Sequence, residues 1–448
     1  MVLAEPVKTR LIRLLFYVPV LVLGIQSLYF FFSIALQRIA YPFELEWMEG
    51  AMLQQVARVL DGGSLYGEPS LAFVPALYMP LYYFVSSAVA TIAGLDFFAL
   101  RTVSFLATVL TFMTLFFTAR EITGHWLAGV FAAMCYATLF PYSAYWFDLA
   151  RVDSLWTLLL LCTFSALVSF RVQQQQRWLW VSALAWVFAF LTKQASVFLL
   201  PFLGLVVWSW GSFRLAFFYA VMIVGLTVPV LWQLHQQLGE RFLFYTLQMA
   251  STHGVTVFGF QRFFNSLIFD TAGFLCVAGS FLYVVPGGWR NRLGWLWMLV
   301  GFITVSMISR AFAGAFFNVL MPMYVAFALL AGCAFYLWAQ QLGSRWQRTV
   351  LAVLMSVWLP INMYRANAFD TQLQVPSESS RRANDKLLTR IKAVAGDVCV
   401  FSHGYLAYKA GKSFCAHNTQ VTDLVQGSDP VLANVLKTDA RQRIMRGD

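Results

Sequence analysis

Three carboxylates lie close together in one polar segment near the start of the chain. They are Glu44, Glu46 and Glu49, within the aromatic run YPFELEWMEG. Glu46 and Glu49 are three residues apart, so on a helix they share one face. Neighbouring carboxylates can divide their roles, one holding a proton through a raised pKa and the other ionised as a base or a metal ligand. The spacing therefore predicts acid–base chemistry, with or without a bound divalent cation.

Acidic residues are scarce elsewhere in this apolar chain. The first 365 residues contain 12 of them, and five lie between positions 37 and 78. Asp148 and Asp153 flank a short aromatic loop, and only two more acids follow before position 370. Placing an ionised side chain in apolar surroundings costs free energy, so the few that occur there usually have a function. Asp153 is therefore a further candidate for function, whereas for Asp148 a solvated loop position suffices.

Basic side chains add candidate contacts for an anion. The first 365 residues contain two lysines, Lys8 and Lys193, and Lys193 ends an apolar segment in the sequence FLTKQ. Arg310 lies between two apolar segments in a similar way. Either side chain can extend to the membrane interface, or it can bind an anion such as a lipid phosphate. The sequence leaves both interpretations open.

The composition indicates which elements position these residues. Hydrophobic residues make up 60% of the 448 positions and charged residues 11%, whereas an ordinary soluble domain is about 25% charged. The chain is thus predicted to be an all-α polytopic membrane protein, since a spanning helix needs about 20 apolar residues. Its net charge of +11 fits membrane orientation and anionic head groups better than nucleic acid. The apolar segments are 11–36, 79–94, 98–118, 124–140, 153–170, 178–192, 195–210, 213–234, 264–285, 293–309, 316–338 and 349–364.

The chain divides into a multi-pass module, 1–365, and a polar tail, 366–448. A first outer loop, 37–78, interrupts the module, and within it residues 49–60 predict an amphipathic helix on the membrane surface that ends at 61–63. The segment 79–94 is short and begins with a proline turn, so it is predicted to be re-entrant. Eleven crossings then place the tail outside and twelve place it inside, and the basic residues alone do not decide between them. The chemistry favours eleven, because the two acidic loops then share one side.

The tail has the composition of a soluble segment, with 11 Lys and Arg and 8 Asp and Glu. Residues 377–394 predict a helix, and the alternating DVCVFS at 397–402 predicts a strand. A small α/β soluble segment is therefore expected. Cys399 and Cys415 can form a disulfide if the tail lies in an oxidising compartment.

Three motifs resemble a known family. They are EGAMLQQVARVLDGGSLY at 49–66, PALYMPLYY at 75–83 and ARVDSL at 150–155. In this order they resemble the first lumenal loop and the second loop of GT-C membrane glycosyltransferases. They are most similar to the branch of the protein O-mannosyltransferases and the aminoarabinose transferase of lipid A. The resemblance covers about residues 10–210.

One position departs from the family pattern. The family's first loop begins Asp-Glu, whereas here Met48 precedes Glu49. Glu46, one helical turn earlier, can supply the missing carboxylate. Glu46 and Glu49 therefore both stay candidates for the catalytic base.

The resemblance implies a GT-C-like fold with about 11 crossings and a re-entrant or surface helix. It also implies a sugar donor linked to a polyprenyl phosphate and used on the outer or lumenal face. The sugar joins a hydroxyl of a glycan, lipid or protein acceptor, typically with inversion. The expected location is a bacterial inner membrane with the active site facing outside and no nucleic acid partner.

Roles for the residues follow from the same resemblance. Glu46 or Glu49 deprotonates the acceptor hydroxyl, and Asp153 orients the acceptor, binds a metal or tunes that carboxylate. A cation, which is Lys193, Arg310 or a bound divalent metal, stabilises the departing phosphate. The residues expected to bind substrate are Glu44, Arg58, Tyr82, Tyr83, Arg151, Lys193 and Arg310. For the two tyrosines a membrane-interface belt is the alternative.

Two other classes of function stay open. A transporter or flippase for lipids or solutes brings polar groups to the bilayer midplane, often in two related halves. Here the acids lie at the ends of apolar segments and no halves match, which favours an enzyme. A non-catalytic lipid-binding relative is the second alternative, because of Met48.

Overall fold

The computed structural model describes residues 7–252, 254–342, 346–426 and 430–446. Apart from two isolated β-bridges, these residues contain no strand, so the predicted all-α class is confirmed. The membrane part and the first loop contain α1 (Val7–Arg38), α2 (Glu49–Leu60), α3 (Leu81–Ala93), α4 (Phe97–Thr123), α5 (Trp126–Thr138), α6 (Asp153–Gln173), α7 (Arg177–Thr192), α8 (Leu200–Trp210), α9 (Phe213–Leu238), α10 (Arg241–Leu243), α11 (Val257–Asn265), α12 (Ala272–Val284), α13 (Trp289–Ala311), α14 (Met321–Gln340) and α15 (Trp346–Ala366). The tail contains α16 (Glu378–Ala393), α17 (Tyr405–Lys409), α18 (Asn418–Gln426) and α19 (Pro430–Arg446).

Seven described helices are long and apolar enough to cross a membrane, namely α1, α4, α6, α9, α13, α14 and α15. The pair Val257–Asp270 and Ala272–Val284, bent by 78°, adds an eighth span if it counts as one. Shorter apolar helices, α3, α5, α7 and α8, account for the remaining predicted segments. The chain is therefore polytopic, as predicted, while the number of eleven crossings stays a prediction.

The core of the bundle is α14, which is buried along almost its whole length. It packs against α5 and α12. A Cβ atom at Gly332 of α14 would collide with the backbone of Ala132 on α5. Small residues of this kind let membrane helices approach closely. By contrast, α9 exposes most of its apolar surface, as a lipid-facing helix does.

Both ends of α3 lie at the same end of the bundle. Just before α3, Tyr66 Oη donates to Tyr78 O at 2.7 Å. Just after it, Asp96 pairs at 3.1 Å with Lys409 of the tail, whose Nζ also lies 5.7 Å from the ring of Phe43. The 13 residues of α3 span about 20 Å, less than the roughly 30 Å of the bilayer core. The two acidic loops consequently meet on one side, as the proposed chemistry requires.

The helix predicted after Glu49 is present as α2. It ends at Asp61, and the chain then turns through Gly62, whose φ of +67° suits glycine. Most of the helix α2 is not exposed, and its predicted place on the membrane surface stays a prediction. Its residues from Glu49 to Ala57 are buried, because α3, α4 and the tail helix α17 cover them.

The strand predicted over 397–402 is wrong. Residues 397–400 have no regular secondary structure, so the described tail is helical and irregular rather than α/β. The alternation of the sequence instead lets Val398 and Val400 pack against the core. Asn418 N donates to Phe401 O at 2.7 Å, but one such bond does not make a ladder, and a strand needs a paired neighbour.

Two other predictions about the tail are confirmed. The helix expected over 377–394 is α16, and Ser377 caps it by accepting a hydrogen bond from Ser380 N at 3.1 Å. Cys399 and Cys415 form a disulfide, with Cα atoms 5.1 Å apart. The division into a module and a separate soluble domain stays a prediction.

Candidate active site

Glu49, the first residue of α2, is the centre of the contact between the two acidic loops. Its side chain is fully buried. Arg101 of α4 donates to it from Nε at 3.0 Å and from Nη2 at 2.6 Å. The backbone N–H groups of Leu45 and Ala150 each donate to it at 2.7 Å. Glu49 therefore accepts four hydrogen bonds and ties the first loop to the second.

These partners decide the charge of Glu49. Burial by itself raises the pKa of this carboxyl, but Arg101 and the backbone donors outweigh burial, and the pKa lies below its usual value. An ionised, saturated and water-free carboxylate is a poor proton acceptor. The structure thus places Glu49 as an anchor between the loops.

A second buried pair closes the same junction. Arg38, at the end of α1, donates to Asp148 from Nε at 2.6 Å and also from Nη2. Asp148 is 1% exposed, so it does not occupy a solvated loop position. Sequence reasoning missed Arg101, although it is the single charged residue within 98–118. A charge inside an apolar segment is a signal that could have found it.

Glu46 has a different environment. Arg151 Nη1 donates to its Oε2 at 2.8 Å, and Met48 N donates to the same oxygen at 3.2 Å. The other oxygen, Oε1, accepts no hydrogen bond from the described residues, and the side chain is 12% exposed. Burial raises the pKa of Glu46, and Arg151 offsets only part of this effect. Of Glu44, Glu46 and Glu49, Glu46 is therefore the one with an oxygen left, among the described residues, to accept a proton.

Asp153, at the start of α6, forms the next ion pair. Lys193 Nζ lies 2.7 Å from its Oδ1 and 4.7 Å from the centre of the Trp156 ring. The other oxygen, Oδ2, is buried without a hydrogen bond within 3.5 Å among the described residues, although the Asn318 side chain is close enough to interact with Asp153. The predicted residues Asp153 and Lys193 thus meet each other directly.

Tyr78 connects the two pairs. Arg151 Nη2 donates to its hydroxyl at 3.1 Å, and Lys193 Nζ lies 5.7 Å from its ring centre. The sequence singled out Tyr82 and Tyr83 instead. Both are fully buried at the start of α3: Tyr82 bonds to α4, and the Tyr83 hydroxyl has no described partner. Tyr78 was missed because the motif contains three tyrosines and only the fold shows which one faces the cations.

Glu44 joins the first loop to the tail. Its Oε1 accepts a hydrogen bond from Gly50 N at 2.8 Å, in the first turn of α2. Its Oε2 and His403 Nδ1 share a hydrogen bond of 2.5 Å. Burial raises the pKa of Glu44 to about 8, although His403 lowers it, and the same bond raises the pKa of His403. Glu44 therefore holds the start of α2 and the tail together.

A second histidine of the tail covers the loop nearby. His417 Nε2 donates to Trp47 O at 2.9 Å, and Thr419 N donates to His417 Nδ1. Burial lowers the pKa of His417 to about 4, so its imidazole is neutral at pH 7. Sequence reasoning gave His403 and His417 no role, because their partners are 359 and 370 positions away.

Arg310 lies in a separate cluster of cations. It is 4% exposed and its guanidinium carbon lies 4.8 Å from the Phe317 ring centre. Arg262 is close enough to interact with it unfavourably. Neither arginine pairs with a carboxylate of the described residues, and the Nε atom of each is buried without a hydrogen-bond partner. Arg262 is a candidate that the sequence did not reveal.

The segment beside Arg310 connects it with the other pairs. The Phe316 ring packs on Trp146 at 5.7 Å, and Trp146 lies 4.9 Å from the guanidinium carbon of Arg151. Arg58 does not join these groups. It lies at the far end of α2, where its Nε donates to Ser64 O at 3.2 Å and supports the following turn.

The described residues contain no preformed set of ligands for a divalent cation. Within the described ranges, no three His, Cys, Asp or Glu side chains gather as metal ligands. Glu46 and Asp153 each already face a cation, Arg151 or Lys193. Arg151 and Lys193 supply positive charge beside these carboxylates, and a bound divalent cation stays a prediction.

Part of the chain is similar to a known protein family. Residues 74–235 match the family model of dolichyl-phosphate-mannose-protein mannosyltransferase. The matched range contains Tyr78, Arg101, Arg151, Asp153 and Lys193. No curated protein is significantly similar in sequence to this chain.

Solved structures share the fold at low identity. ArnT from Cupriavidus metallidurans in the apo state is 15% identical, with a TM-score of 0.61 over 90% of this chain and 84% of its own. The same protein bound to undecaprenyl phosphate is 14% identical, with a TM-score of 0.58 over 90% of this chain and 85% of its own. The archaeal oligosaccharyltransferase AglB from Archaeoglobus fulgidus, in complex with an inhibitory peptide and a dolichol-phosphate, is 11% identical. Its TM-score is 0.55, over 90% of this chain and 64% of its own. The chain is thus polytopic, with the fold of ArnT over 90% of its length and a match over 74–235 to the mannosyltransferase family model.

Proposed function

We propose that this chain transfers a sugar from a polyprenyl-phosphate-linked donor to an acceptor hydroxyl, with Glu46 as the base. The observation that carries the proposal is the pair of incompletely satisfied carboxylates, Glu46 and Asp153, each beside a cation and joined through Tyr78. The family match and the lipid phosphates in the ArnT and AglB structures support the class of donor.

Glu46 suits the role of base better than Glu49. Its Oε1 accepts no hydrogen bond within the described ranges, and its pKa is raised, so it binds a proton more readily than an ordinary glutamate. Both oxygens of Glu49 already accept hydrogen bonds from Arg101 and from two backbone N–H groups. The carboxylate that the family pattern expects at Met48 is thus supplied from two positions earlier.

The reaction balances with these groups. The proton of the acceptor hydroxyl passes to Glu46, and the acceptor oxygen forms a bond to the anomeric carbon of the sugar. The bond from that carbon to the phosphate oxygen breaks, and the polyprenyl phosphate leaves with the electron pair. Asp153 Oδ2, which is free to accept a hydrogen bond, orients the acceptor hydroxyl.

Arg310 and Arg262 are assigned to the lipid phosphate. Two neighbouring guanidinium groups without a carboxylate repel each other, and an anion between them removes that cost. Arginine binds phosphate well, because its donors match the phosphate oxygens in pairs. Lys193 adds positive charge from the side of Asp153.

The direction of the site is also part of the proposal. Basic residues at the cytoplasmic end of a membrane protein usually outnumber those at the other end. At the site's end, the cations Arg38, Arg101, Arg151 and Lys193 are paired with carboxylates. Seven arginines without a described carboxylate partner lie at the opposite ends of the helices, more than the unpaired Arg262 and Arg310 beside the site, which supports an outward-facing site in a bacterial inner membrane. They are Arg120, Arg171, Arg177, Arg214, Arg290, Arg292 and Arg348.

A transfer assay tests the proposal. The full-length protein in detergent is incubated with a panel of polyprenyl-phosphate sugars, and release of polyprenyl phosphate and of free or transferred sugar is measured. We expect release by the wild type and its loss in Glu46→Gln. Glu68→Gln is the matched control, since Glu68 belongs to the same loop but is exposed and pairs with Arg241.

The outcomes separate the hypotheses. Release that Glu46→Gln leaves unchanged would remove Glu46 as the base. Lipid binding without release from any donor would instead favour a transporter, a flippase or a non-catalytic lipid-binding relative. The acceptor, whether glycan, lipid or protein, is identified by which one receives labelled sugar.

A further inference from the structure

A cavity lies at the end of the helices opposite to the candidate active site. It has a volume of about 320 Å³ and is lined by residues of α6 and α8 and by the start of α13. Asp153 begins α6, and Arg171, which lines the cavity, follows it by 18 residues. That separation is about 27 Å at 1.5 Å per residue, close to the roughly 30 Å of the bilayer core. The cavity therefore belongs to the other membrane interface.

Two arginines line this cavity with unused donors. Arg171 donates from Nε to Asn291 Oδ1 at 3.3 Å, and its two terminal nitrogens have no partner among the described residues. Arg290 donates from Nη2 to the backbone oxygens of Trp208 and Gly211, at 2.8 and 2.9 Å, and keeps Nε and Nη1 free. Neither pairs with a described carboxylate. Both guanidinium groups are held in place, yet their charge is not compensated.

A buried hydroxyl in the same cavity also lacks a partner. Ser209 is 5% exposed, lines the cavity, and its Oγ has no hydrogen bond in the described structure. A buried hydroxyl without a hydrogen bond costs free energy. A ligand with an acceptor oxygen in the cavity would remove that cost.

The backbone at the start of α13 contributes further donors. Gly287, with φ of +110°, turns the chain, and Gly288 precedes the helix at the cavity wall. The first N–H groups of a helix have no partner within it, and the helix dipole favours an anion there. A glycine turn, a helix start, two arginines and a free hydroxyl thus face one space.

We propose that this cavity binds a phosphate group, carried by an anionic phospholipid or present as inorganic phosphate. The fork of Arg171 can hold two phosphate oxygens, while Arg290 and Ser209 reach the others. Basic pockets between membrane helices on the cytoplasmic side are suited to anionic head groups. Trp289, 68% exposed beside the cavity, lies where interfacial tryptophans contact lipid.

No described acid competes for these arginines inside the cavity. Glu121, at the end of α4, accepts hydrogen bonds from Ser169 Oγ at 2.7 Å and Gln173 Nε2 at 2.9 Å. Its charge is therefore held by other donors. The cavity keeps a net positive charge that an anionic ligand can neutralise.

Native mass spectrometry of the full-length protein in detergent tests this proposal. Delipidated protein is titrated with phosphatidylglycerol, with phosphatidylcholine as the uncharged comparison, and in a separate arm with inorganic phosphate as a competitor. We expect the wild type to retain phosphatidylglycerol and not phosphatidylcholine. Affinity is expected to fall by at least about tenfold in Arg171→Gln, since a charged hydrogen-bonded contact is lost.

Two further variants keep the test decisive. Ser209→Leu fills the cavity without changing any charge and is expected to reduce binding as strongly, so it decides the case if Arg171→Gln does not fold. Arg177→Gln removes an exposed arginine at the same end that does not line the cavity, and binding is expected to be unchanged.

The result also separates the two sources of phosphate. Displacement of phosphatidylglycerol by inorganic phosphate at millimolar concentration supports a site for the phosphate group alone, and resistance to displacement supports a lipid head group. Equal retention of both phospholipids without phosphate binding would overturn the proposal. So would an equal loss in Arg177→Gln, because general surface charge would then explain the binding.

Discussion

Glu46 and Glu49 lie three residues apart in one loop, yet their side chains differ in hydrogen-bond donors and in exposure. Glu49 accepts four hydrogen bonds and has no contact with water. Glu46 has one oxygen without a partner in the part of the chain that the structure describes, and it is 12% exposed. A buried carboxylate with a full set of donors is a structural anchor, whereas one with an incomplete set can take up a proton. The number of donors, more than burial, separates the two roles.

The same comparison applies to the arginines. Arg101 and Arg151 face carboxylates, and they hold the loops of the site in place. Arg310, Arg262 and Arg171 have no described carboxylate partner. A cation held in place without an acid is suited to a ligand that brings negative charge.

The largest effect is expected from breaking the buried ion pair of Glu49 and Arg101. Glu49→Gln or Arg101→Met leaves the opposite charge buried and unpaired, which costs about 3–5 kcal/mol. We expect a large loss of folded protein, measured as the yield of monodisperse material and as the thermal unfolding temperature in detergent. Glu68→Gln serves as the control. Normal folding of Glu49→Gln with loss of turnover alone would assign catalysis to Glu49 instead.

The next effect is expected at Glu46 and concerns rate rather than folding. Glu46→Gln keeps the shape and removes the proton acceptor, so kcat should fall by about 10²- to 10⁴-fold. Binding of polyprenyl phosphate and the unfolding temperature should stay as in the wild type. An equal loss of lipid binding would show that Glu46 holds the donor rather than accepting the proton.

A smaller effect is expected at the unpaired arginines of the site. Arg310→Gln and Arg262→Gln each remove a charge from the assigned phosphate contact. We expect KM for the donor to rise by about tenfold, with a weaker effect on kcat. Steady-state kinetics with varied donor measure the two parameters. An unchanged KM in both variants would contradict the assignment.

Burial of Glu44, together with the effect of Glu44 on His403, predicts a pH dependence of stability. The folded protein raises the pKa of Glu44 from 4.5 to about 8 and also raises that of His403 above 6.5. The folded state thus binds more protons than the unfolded chain, and stability falls as pH rises. His417, with its lowered pKa, has the opposite effect between pH 4 and 6.5, so the window is pH 6.5 to 8. Glu49, also close to Glu44, has a lowered pKa and stays ionised throughout this window.

Thermal unfolding across this window measures the effect. We expect a decrease of at most about 2 kcal/mol per proton over the 1.5 pH units. Glu44→Gln keeps an oxygen for Gly50 N but removes the titrating carboxyl, so its slope should be shallower. Stability of the wild type that rises with pH would contradict the prediction.

The smallest effect is expected from metal removal. Arg151 and Lys193 supply the positive charge beside Glu46 and Asp153, so treatment with EDTA should leave turnover unchanged. Loss of activity on chelation, restored by a divalent cation, would show that the site gathers metal ligands when substrate binds.

Local patterns predicted part of this protein well. The helix after Glu49, the tail helix over 377–394 and the disulfide partners Cys399 and Cys415 depend on spacing and composition within short segments. The strand over 397–402 failed, because alternation alone supplies no neighbouring strand. Where a pattern needs a distant partner, sequence spacing does not reveal whether one is present.

The candidate site shows the same limit. Glu46, Asp153 and Lys193 could be predicted, since charges are rare and costly in an apolar chain. Their pairing could not, nor could the choice of Tyr78 over Tyr82 and Tyr83. Which tyrosine faces the cations depends on how α3 enters the bundle.

Composition and periodicity were sufficient to predict a polytopic membrane protein, because long apolar segments with few charges have no other stable environment. The sequence also showed which residue types were available for acid–base chemistry. That Glu49 has a full set of donors, that Glu46 does not, and that the tail histidines reach the first loop became evident from the fold. The charge of a buried group depends on its charged partners, and these come from parts of the chain tens to hundreds of residues away.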